Sequence, residues 1–259
     1  MKIIFLGASK FSEAILNHLL ENGIRVDHLF TIPREFSISY SEKKVTNYNY
    51  SDLEAIAVKN GIPFSLVESK EGSRITDYEE IIRSVNPDVI LVMGWYYMVP
   101  KKIRNLAKLG AWGIHASMLP DYAGGAPLVW AIIEGRKQTG VSLFRLEDGV
   151  DDGDIIAQEA IEIGDDDTIK EVYDKVIEVS KKILFEHLNG MVPVSFTPQD
   201  KSKIKVYPQR KPEDGEIDLT WPSRKIYDFI RAQAPPYPGA FIKTIDGKKI
   251  IIEKARLAE

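Results

Sequence analysis

The sequence contains no cysteine and only four histidines, so thiol chemistry is excluded from the outset. A chain without thiols forms no disulfide, uses no thiolate nucleophile and offers no cysteine ligand to zinc. The remaining imidazoles are His18, His28, His115 and His187. With so few nitrogen ligands, we expect no structural metal site.

Long apolar runs are also lacking. No stretch approaches the roughly 18 apolar residues that a membrane-spanning helix requires, and the apolar N-terminus is interrupted at Gly7, too early for a signal peptide. We therefore expect a cytoplasmic protein without a membrane partner. At 259 residues, with 44% hydrophobic and 28% charged residues, the chain can bury a core in one large domain plus an appendage, or in two modest domains.

The small net charge of −4 is unevenly placed along the chain. Residues 1–200 carry 30 acidic and 21 basic side chains, whereas residues 201–259 carry 13 basic and 8 acidic ones. A basic tail can meet a polyanionic partner, although a mixed-sign segment is more often an ordinary solvated surface. The sequence leaves both interpretations open.

Apolar strand-like runs alternate with segments of helical periodicity along most of the chain. The predicted strands cover 2–9, 25–32, 63–68 and 88–94, and the predicted helices cover 11–23, 51–61, 76–85 and 167–188. Strands that alternate with helices indicate an α/β fold with a Rossmann-like, doubly wound and mostly parallel sheet.

Composition then suggests how the chain is divided. Residues 192–215 are charged and punctuated by proline, which is typical of a linker, so we predict a catalytic domain over 1–191 and a small C-terminal region over 216–259. That α+β region should end in a hairpin whose turn is Asp246–Gly247. A Tyr- and Ser-rich segment at 33–50 is long enough to carry function or disorder.

The first predicted strand runs through Gly7 into a helix, and free N–H groups at such a helix start favour anions. The turn lacks the G-x-G-x-x-G spacing and the Walker lysine, so an ordinary strand-to-helix turn explains it equally well. No nicotinamide or ATP site follows from it.

His115 is the candidate catalytic residue, because it should stand at the carboxyl end of a short apolar strand, where open α/β sheets place their ligands. A lone His beside an apolar stretch is more often structural. The acidic loop at 147–155, however, could supply a carboxylate that orients the imidazole and stabilises its cation. That loop could also hold Mg²⁺ or Ca²⁺, although its spacing is not that of an EF-hand. Spacing alone leaves these alternatives open.

Residues 115–158 carry an ordered set of motifs. These are a His-x-Ser-x-Leu-Pro run at 115–120, a Gly-Ala-Pro turn at 125–127, Thr-Gly-Val at 139–141, and Gly-x-Asp-x-Gly-Asp at 149–154. With "FLGASKF" near the start and "IRAQAPPYPGAF" at 230–241, the sequence resembles the folate-dependent formyltransferases over nearly its whole length. That family includes enzymes that act on methionyl-tRNA, on glycinamide ribonucleotide and on nucleotide sugars.

The resemblance implies a reaction and its machinery. Family members transfer a formyl group from N10-formyltetrahydrofolate to a primary amine, with a catalytic trio of Asn, His and Asp and no metal. His115 matches the family His, and Asp151 matches the Asp that should hold this imidazole while it moves a proton from the amine to the departing folate nitrogen. The Asn should lie two residues before the His, where this sequence has Gly113.

The loss of that Asn matters because attack on the formyl carbon creates a tetrahedral oxyanion. Removing one donor to such an oxyanion costs about 10²–10³ in rate. We hypothesise that a backbone N–H, an ordered water or His115 itself takes over this role. A formyltetrahydrofolate hydrolase, in which water replaces the amine, and a non-catalytic folate- or nucleotide-binding relative are the alternatives.

The resemblance also implies two sets of binding residues. The expected folate contacts are Gly94, Trp95, Tyr96, Tyr97, Met98, Val99, Asp148, Gly149, Asp151 and Asp154. The expected acceptor contacts are Ser9, Lys10, Ser117, Pro120, Tyr122, Gly124 and Gly125. His18, His28 and His187 are expected to be structural or surface residues.

A nucleotide-linked amino sugar, for example a 4-amino-4,6-dideoxyhexose, is the predicted acceptor, and its base and sugar are left open. The tRNA enzymes of the family generally have a longer C-terminal barrel and commonly carry Arg where this chain has Ala123. Tyrosines in 33–50 could stack on a nucleotide base. Methionyl-tRNA is the alternative acceptor. Because the C-terminal apolar strands lack a core of their own, we also expect a homodimer.

Overall fold

The computed structural model describes residues 1–37, 45–47 and 49–258. The longer strands are β1 (Ile3–Gly7), β2 (His28–Thr31), β5 (Phe64–Leu66), β6 (Val89–Met93), β7 (Ala111–His115), β9 (Gln138–Arg145), β10 (Ile155–Glu162), β12 (Ala240–Lys243) and β13 (Lys249–Ile252). Two-residue strands are β3 (Glu35–Phe36), β4 (Val45–Thr46), β8 (Ala123–Gly124) and β11 (Val206–Tyr207). The α-helices are α1 (Lys10–Glu21), α2 (Leu53–Asn60), α3 (Glu79–Val85), α4 (Lys101–Arg104), α5 (Pro127–Ile133), α6 (Ile169–Leu188) and α7 (Ser223–Arg231).

The main sheet has seven strands in the order β10-β9-β7-β6-β1-β2-β5. The pairings of β1 with β2 and β6, of β2 with β5, and of β6 with β7 are all parallel. From β1 the chain adds β2 and β5 on one side and β6 and β7 on the other. This reversal is the hallmark of a doubly wound, Rossmann-like sheet, so the predicted fold class is confirmed.

Contacts divide the chain into two units that interleave in sequence. The first unit contains Met1–Ile114, Leu143–Asp148 and Ser180–Phe196. The second contains His115–Ser142, Gly149–Val179 and Thr197–Glu259. The predicted domain boundaries at 191 and 215 stay a prediction.

The core of the first unit forms around β1 and β6. Every residue of β1 is buried, as expected for a parallel strand that is covered on both faces and is therefore apolar throughout. Helix α1 begins after Ser9, whose side chain accepts a hydrogen bond from the Ser12 N–H. Helix α2 is followed by Gly61, which caps it in the left-handed conformation (φ 64°) that a residue without Cβ tolerates.

The second unit has its own apolar cluster, formed by Ile217, Phe229, Ile230 and Ala240. Phe229 and Ile230 lie on α7, which contacts α5. Strands β12 and β13 pair in antiparallel register around the Asp246–Gly247 turn, with Gly247 at φ 77°, so the predicted hairpin is confirmed.

Several elements were not predicted from the sequence. One is helix α5, which is only seven residues long. Another is strand β11, which lies inside the segment that was predicted to be a linker and pairs with β8. Residues 38–44 and 48 of the Tyr-rich 33–50 segment lie outside the described residues, so the function predicted there is untested. Within residues 1–37, 45–47 and 49–258, no helix is long and apolar enough to cross a membrane.

Candidate active site

His115 ends β7 and is the first residue of the second unit. Its Nε2 lies 2.8 Å from the backbone carbonyl oxygen of Tyr122, and its Nδ1 lies 3.4 Å from Oδ2 of Asp151. The imidazole is only 9% exposed. Because a carbonyl oxygen can only accept, Nε2 carries a proton in its hydrogen bond. The second ring nitrogen therefore faces the carboxylate.

Asp151 is held at both its side chain and its backbone. Its Oδ2 accepts a hydrogen bond of 2.8 Å from the Gly124 N–H. Gln199 Nε2 donates to the carbonyl oxygens of Asp151 and Gly153, at 2.8 and 2.7 Å. Asp151 also adopts the left-handed region (φ 49°), which is uncommon for a residue with a Cβ, and strained conformations of this kind cluster at functional sites. The loop is thus shaped to present this carboxylate to the imidazole.

Other residues of the acidic loop have structural partners. Asp152 pairs with Lys201 at 2.7 Å. A Cβ at Gly149 would lie 2.4 Å from Oδ2 of Asp152, so a larger residue there would displace this carboxylate. Asp154 is partly buried. In the described part of the chain, no group of three or more His, Cys, Asp or Glu side chains is arranged to hold a metal ion.

A buried polar network supports the backbone that follows His115. Ser142 Oγ donates to the Ser117 carbonyl at 2.6 Å, and it accepts from the Leu119 N–H at 3.0 Å and from Gln158 Nε2 at 2.8 Å. The hydroxyl of Ser117 is itself used, since it donates to the Asp121 carbonyl at 2.5 Å. Sequence reasoning missed Ser142 and Gln158. Their only signal is a polar side chain within an otherwise largely apolar strand.

The predicted acceptor residues Pro120, Tyr122, Gly124 and Gly125 lie together in the second unit, on the segment that leads into α5. Burial, and then the hydrogen bond to Glu134, raise the pKa of the Tyr122 hydroxyl to about 12. The Tyr122 hydroxyl donates to Glu134 Oε2 at 2.5 Å and accepts from Arg136 Nε at 2.7 Å, so it is held from both sides.

Replacement of Gly125 with Ala is expected to destabilise the protein. A Cβ at this position would lie 2.4 Å from the Cα of Gln209, and backbone yields poorly to such overlap. We expect the free energy of unfolding to fall by about 1–3 kcal/mol, measured by urea denaturation. Gly190→Ala is the control, because a Cβ there lies more than 4 Å from the other described residues that it could contact, so the variant tests only the strain of its positive φ. Equal losses in both variants would contradict the overlap argument.

The predicted acceptor residues Ser9 and Lys10 lie in the first unit, at the start of α1. The Ser12 hydroxyl accepts from the N–H groups of Ala8 and Ser9, both at 3.0 Å, while Lys10 N–H donates to the Asn49 carbonyl. The N–H groups that a phosphate would use are therefore largely occupied. This arrangement favours the ordinary strand-to-helix turn over an anion site.

The segment Gly94–Val99, predicted to contact folate, forms an aromatic wall in the first unit. The Phe36 ring lies 5.3 Å from that of Tyr96 and 5.7 Å from that of Tyr97. Burial raises the pKa of Tyr97 to about 12, and its hydroxyl donates to the Ser37 carbonyl at 3.0 Å. The indole N–H of Trp95 is buried and has no hydrogen-bond partner among the residues that the structure describes.

Within that segment the side chains differ sharply in exposure. Met98 is 81% exposed, whereas Val99 is buried in the apolar core. Gly94 has φ 60°, and a Cβ there would lie 2.0 Å from the Ser9 hydroxyl oxygen, so glycine is required. Asp148, the predicted folate residue of this unit outside Gly94–Val99, is ion-paired with the buried Arg104.

Gly113 lies where the resemblance calls for a polar side chain, and apolar side chains occupy the space that such a side chain would need. A Cβ built on Gly113 would lie 2.9 Å from Leu146 Cδ2 and 3.3 Å from Phe144 Cε1. All three residues belong to the first unit. An Asn at 113 therefore needs Leu146 to move or to become smaller.

Comparison with known protein families gives two matches, which together cover most of the chain. Residues 1–188 match the formyl transferase family, and residues 209–259 match the formyl transferase C-terminal domain. The methionyl-tRNA formyltransferase of Lactobacillus gasseri is 32% identical over 260 residues, covering 99% of this chain and 80% of that protein.

Two solved structures have the same fold. A sugar N-formyltransferase from a Shewanella species has a TM-score of 0.70 at 17% identity, covering 100% of this chain and 99% of that one. The N-formyltransferase from Helicobacter canadensis, in complex with folinic acid and dTDP-3-aminofucose, has a TM-score of 0.62 at 20% identity, covering 90% and 80%. On the family match and the 32% identity, this chain belongs to the formyl transferase family of enzymes.

Proposed function

We propose that this protein transfers a formyl group from N10-formyltetrahydrofolate to the primary amine of a nucleotide-linked amino sugar. The observation that carries the reaction is the pair formed by His115 and Asp151, at 3.4 Å in a nearly buried setting. A carboxylate fixed beside an imidazole is the arrangement that general acid–base catalysis needs.

In this mechanism the acceptor amine attacks the formyl carbon, and His115 takes up the proton that the nitrogen loses. Nε2 already carries the proton that is donated to the Tyr122 carbonyl. The new proton is therefore taken at Nδ1, beside Asp151, whose negative charge compensates the cation that forms. The same proton then passes to the departing nitrogen of the folate as the carbon–nitrogen bond breaks.

The oxyanion must be stabilised without a side chain from Gly113. Leu146 takes the space that such a side chain would need, so we propose that a backbone N–H or a water molecule donates to the oxyanion instead. The predicted contacts of the folate stay predictions; they are Gly94–Val99, Asp148, Gly149, Asp151 and Asp154. The predicted contacts of the acceptor also stay predictions; they are Ser9, Lys10, Ser117, Pro120, Tyr122, Gly124 and Gly125.

Restoring an Asn at position 113 is expected to raise turnover only when space is made for it. Gly113→Asn alone should lower activity, because its Cβ meets Leu146. Gly113→Asn combined with Leu146→Ala should have a kcat about tenfold or more above that of Gly113→Ala with Leu146→Ala, since one added donor is worth up to about 10²–10³. Equal kcat for the two double variants would show that another donor already serves the oxyanion.

An amino sugar is favoured as acceptor by the environment of Ala123. This residue is fully buried, and it sits in β8 in register with Val206. The position that commonly carries Arg in the tRNA enzymes therefore offers no room for a long cationic side chain that could reach a phosphate. The amino sugar in the Helicobacter canadensis complex agrees with this choice.

Methionyl-tRNA is the second candidate acceptor, and a specific observation favours it. The 32% identity to the Lactobacillus gasseri methionyl-tRNA formyltransferase extends over 99% of this chain. The excess of basic residues in 201–259 would suit an RNA partner.

Release of tetrahydrofolate from N10-formyltetrahydrofolate, followed by absorbance, separates these possibilities. We expect turnover with one nucleotide-linked amino sugar from a panel that varies base and sugar, and little with charged initiator tRNA. Turnover with the tRNA alone would replace the proposed acceptor, and release without any acceptor would indicate a hydrolase.

The expected homodimer stays a prediction. Ile250 and Ile251 on β13 are about half exposed, so the hairpin presents apolar surface in this single chain. Cytoplasmic localisation likewise stays a prediction.

A further inference from the structure

We propose that Tyr122 is a positioning residue for His115, and that Glu134 and Tyr207 hold it in place. The proposal rests on the role given above to His115 in formyl transfer. It starts from the backbone carbonyl oxygen of Tyr122, which accepts the hydrogen bond from His115 Nε2 at 2.8 Å. The location of this one oxygen decides which ring nitrogen keeps its proton.

The backbone of Tyr122 is in an unusual conformation. Its φ of 55° lies in the left-handed region, which is unfavourable for a residue with a bulky side chain. Such conformations persist only where the surrounding structure over-determines them. The contacts of the Tyr122 side chain show what does so.

A single carboxylate holds two tyrosine hydroxyls. The Tyr122 hydroxyl donates to Glu134 Oε2 at 2.5 Å, and the Tyr207 hydroxyl donates to Glu134 Oε1 at 3.2 Å. Arg136 Nε donates to the Tyr122 hydroxyl oxygen at 2.7 Å. The two tyrosine rings lie 4.8 Å apart at an interplanar angle of 31°. The Tyr122 side chain is thus fixed by two polar contacts and by one ring packed against it.

The backbone on the carboxyl side of Tyr122 is fixed by the same strand that carries Tyr207. Strand β11 pairs in parallel with β8, with Tyr207 in register with Gly124. The N–H of Gly125 donates to the Tyr207 carbonyl at 2.8 Å. Tyr207 therefore restrains Tyr122 through its ring and the following residues through its backbone.

For catalysis, the consequence is that the His115 ring has one orientation and one tautomer. While the Tyr122 carbonyl accepts from Nε2, only Nδ1 is left to exchange a proton beside Asp151. If Tyr122 loosens, the ring can turn or change tautomer, and fewer molecules are ready to react. In this role Tyr122 acts through His115 and takes no part in the proton transfer itself.

The test combines NMR of the ring nitrogens with kinetics. Protein labelled with ¹⁵N-histidine should show a ring N–H at Nε2 of His115 that exchanges slowly with water, assigned by its loss in His115→Gln. Tyr122→Phe and Glu134→Gln remove one partner each from the tyrosine–carboxylate contact. Tyr227→Phe is the matched control, because its hydroxyl also donates to a carboxylate, Asp166 Oδ1, at 2.7 Å.

In Tyr122→Phe and Glu134→Gln, we expect the ring N–H to exchange at least about tenfold faster, and kcat to fall about tenfold with KM changed less than about twofold. Tyr227→Phe should change neither. An N–H that exchanges equally slowly in all variants, or faster exchange without any loss in kcat, would overturn the proposal. If no variant and no wild-type protein turns over while the exchange result holds, the proposed function fails and the positioning of His115 stands.

Discussion

Replacement of His115 with Gln is expected to lower kcat by about 10³-fold, within the 10²–10⁴ that a positioned acid–base group contributes. Gln keeps a similar length and can still donate to the Tyr122 carbonyl, which His115 does at 2.8 Å. It cannot take up a proton, so the amine must lose its proton to water. Steady-state kinetics with saturating donor and acceptor measure this loss.

Two controls separate chemistry from folding in that experiment. The midpoint of urea unfolding should change little, because the substituted side chain fills the same space. His187, which is also buried and whose Nδ1 donates to the Ile183 carbonyl at 2.7 Å, can be replaced with Gln as the matched variant. We expect His187→Gln to keep kcat within about twofold. A His115→Gln variant with near wild-type kcat would remove His115 from the mechanism.

Replacement of Asp151 with Asn is expected to lower kcat by about 10²–10³-fold with little effect on KM, which is part of the 10²–10⁴ that a positioned acid–base group contributes. The Asn carbonyl can still accept from the Gly124 N–H, which Asp151 Oδ2 does at 2.8 Å. Its NH₂ group would then face His115 Nδ1. A donor at that place opposes uptake of a proton and supplies no negative charge.

The control for this variant is Asp166→Asn, a surface carboxylate that accepts from the Tyr227 hydroxyl. We expect it to leave kcat unchanged. Loss of folate binding in Asp151→Asn, measured by calorimetry, with kcat at saturation unchanged, would show that Asp151 contacts the donor and does not act on His115.

Much of the fold could be predicted because its parallel strands are apolar on both faces. Strands such as β1 and β6 give continuous apolar runs, and α1 has regularly spaced buried residues between a Ser cap and a C-terminal glycine. Helix α5 could not be found in the same way. It begins at Pro127 and spans less than two full turns. Because its residues are almost all apolar, the sequence shows no helical alternation of apolar and polar positions there.

The sequence predicted the pair His115 and Asp151, but it did not predict the contacts that hold these two side chains in place. The hydrogen bond from His115 to the backbone carbonyl of Tyr122 cannot be predicted from the sequence, because every residue carries a backbone acceptor. Glu134 and Tyr207 are 73 positions apart, and the segment that carries Tyr207 is brought to Glu134 by the pairing of two-residue strands and by contacts with Trp130 of α5. Such short strands carry no pattern that sequence reasoning can detect.

The account of Gly113 shows the same limit. The sequence reveals that a polar side chain is missing, but only the structure shows that Leu146 occupies the space. Packing between segments 33 positions apart decides whether that loss can be reversed by one substitution or requires two.

The measurement that tests the central claim most directly is release of tetrahydrofolate by wild-type protein and by His115→Gln, each with a panel of nucleotide-linked amino sugars and with charged initiator tRNA. The account predicts release by wild-type protein that depends on one amino sugar, with formation of an N-formyl product in equal amount, and a rate about 10³-fold lower in His115→Gln. Release at equal rates with and without any amine acceptor, or an unchanged rate in His115→Gln, would contradict it.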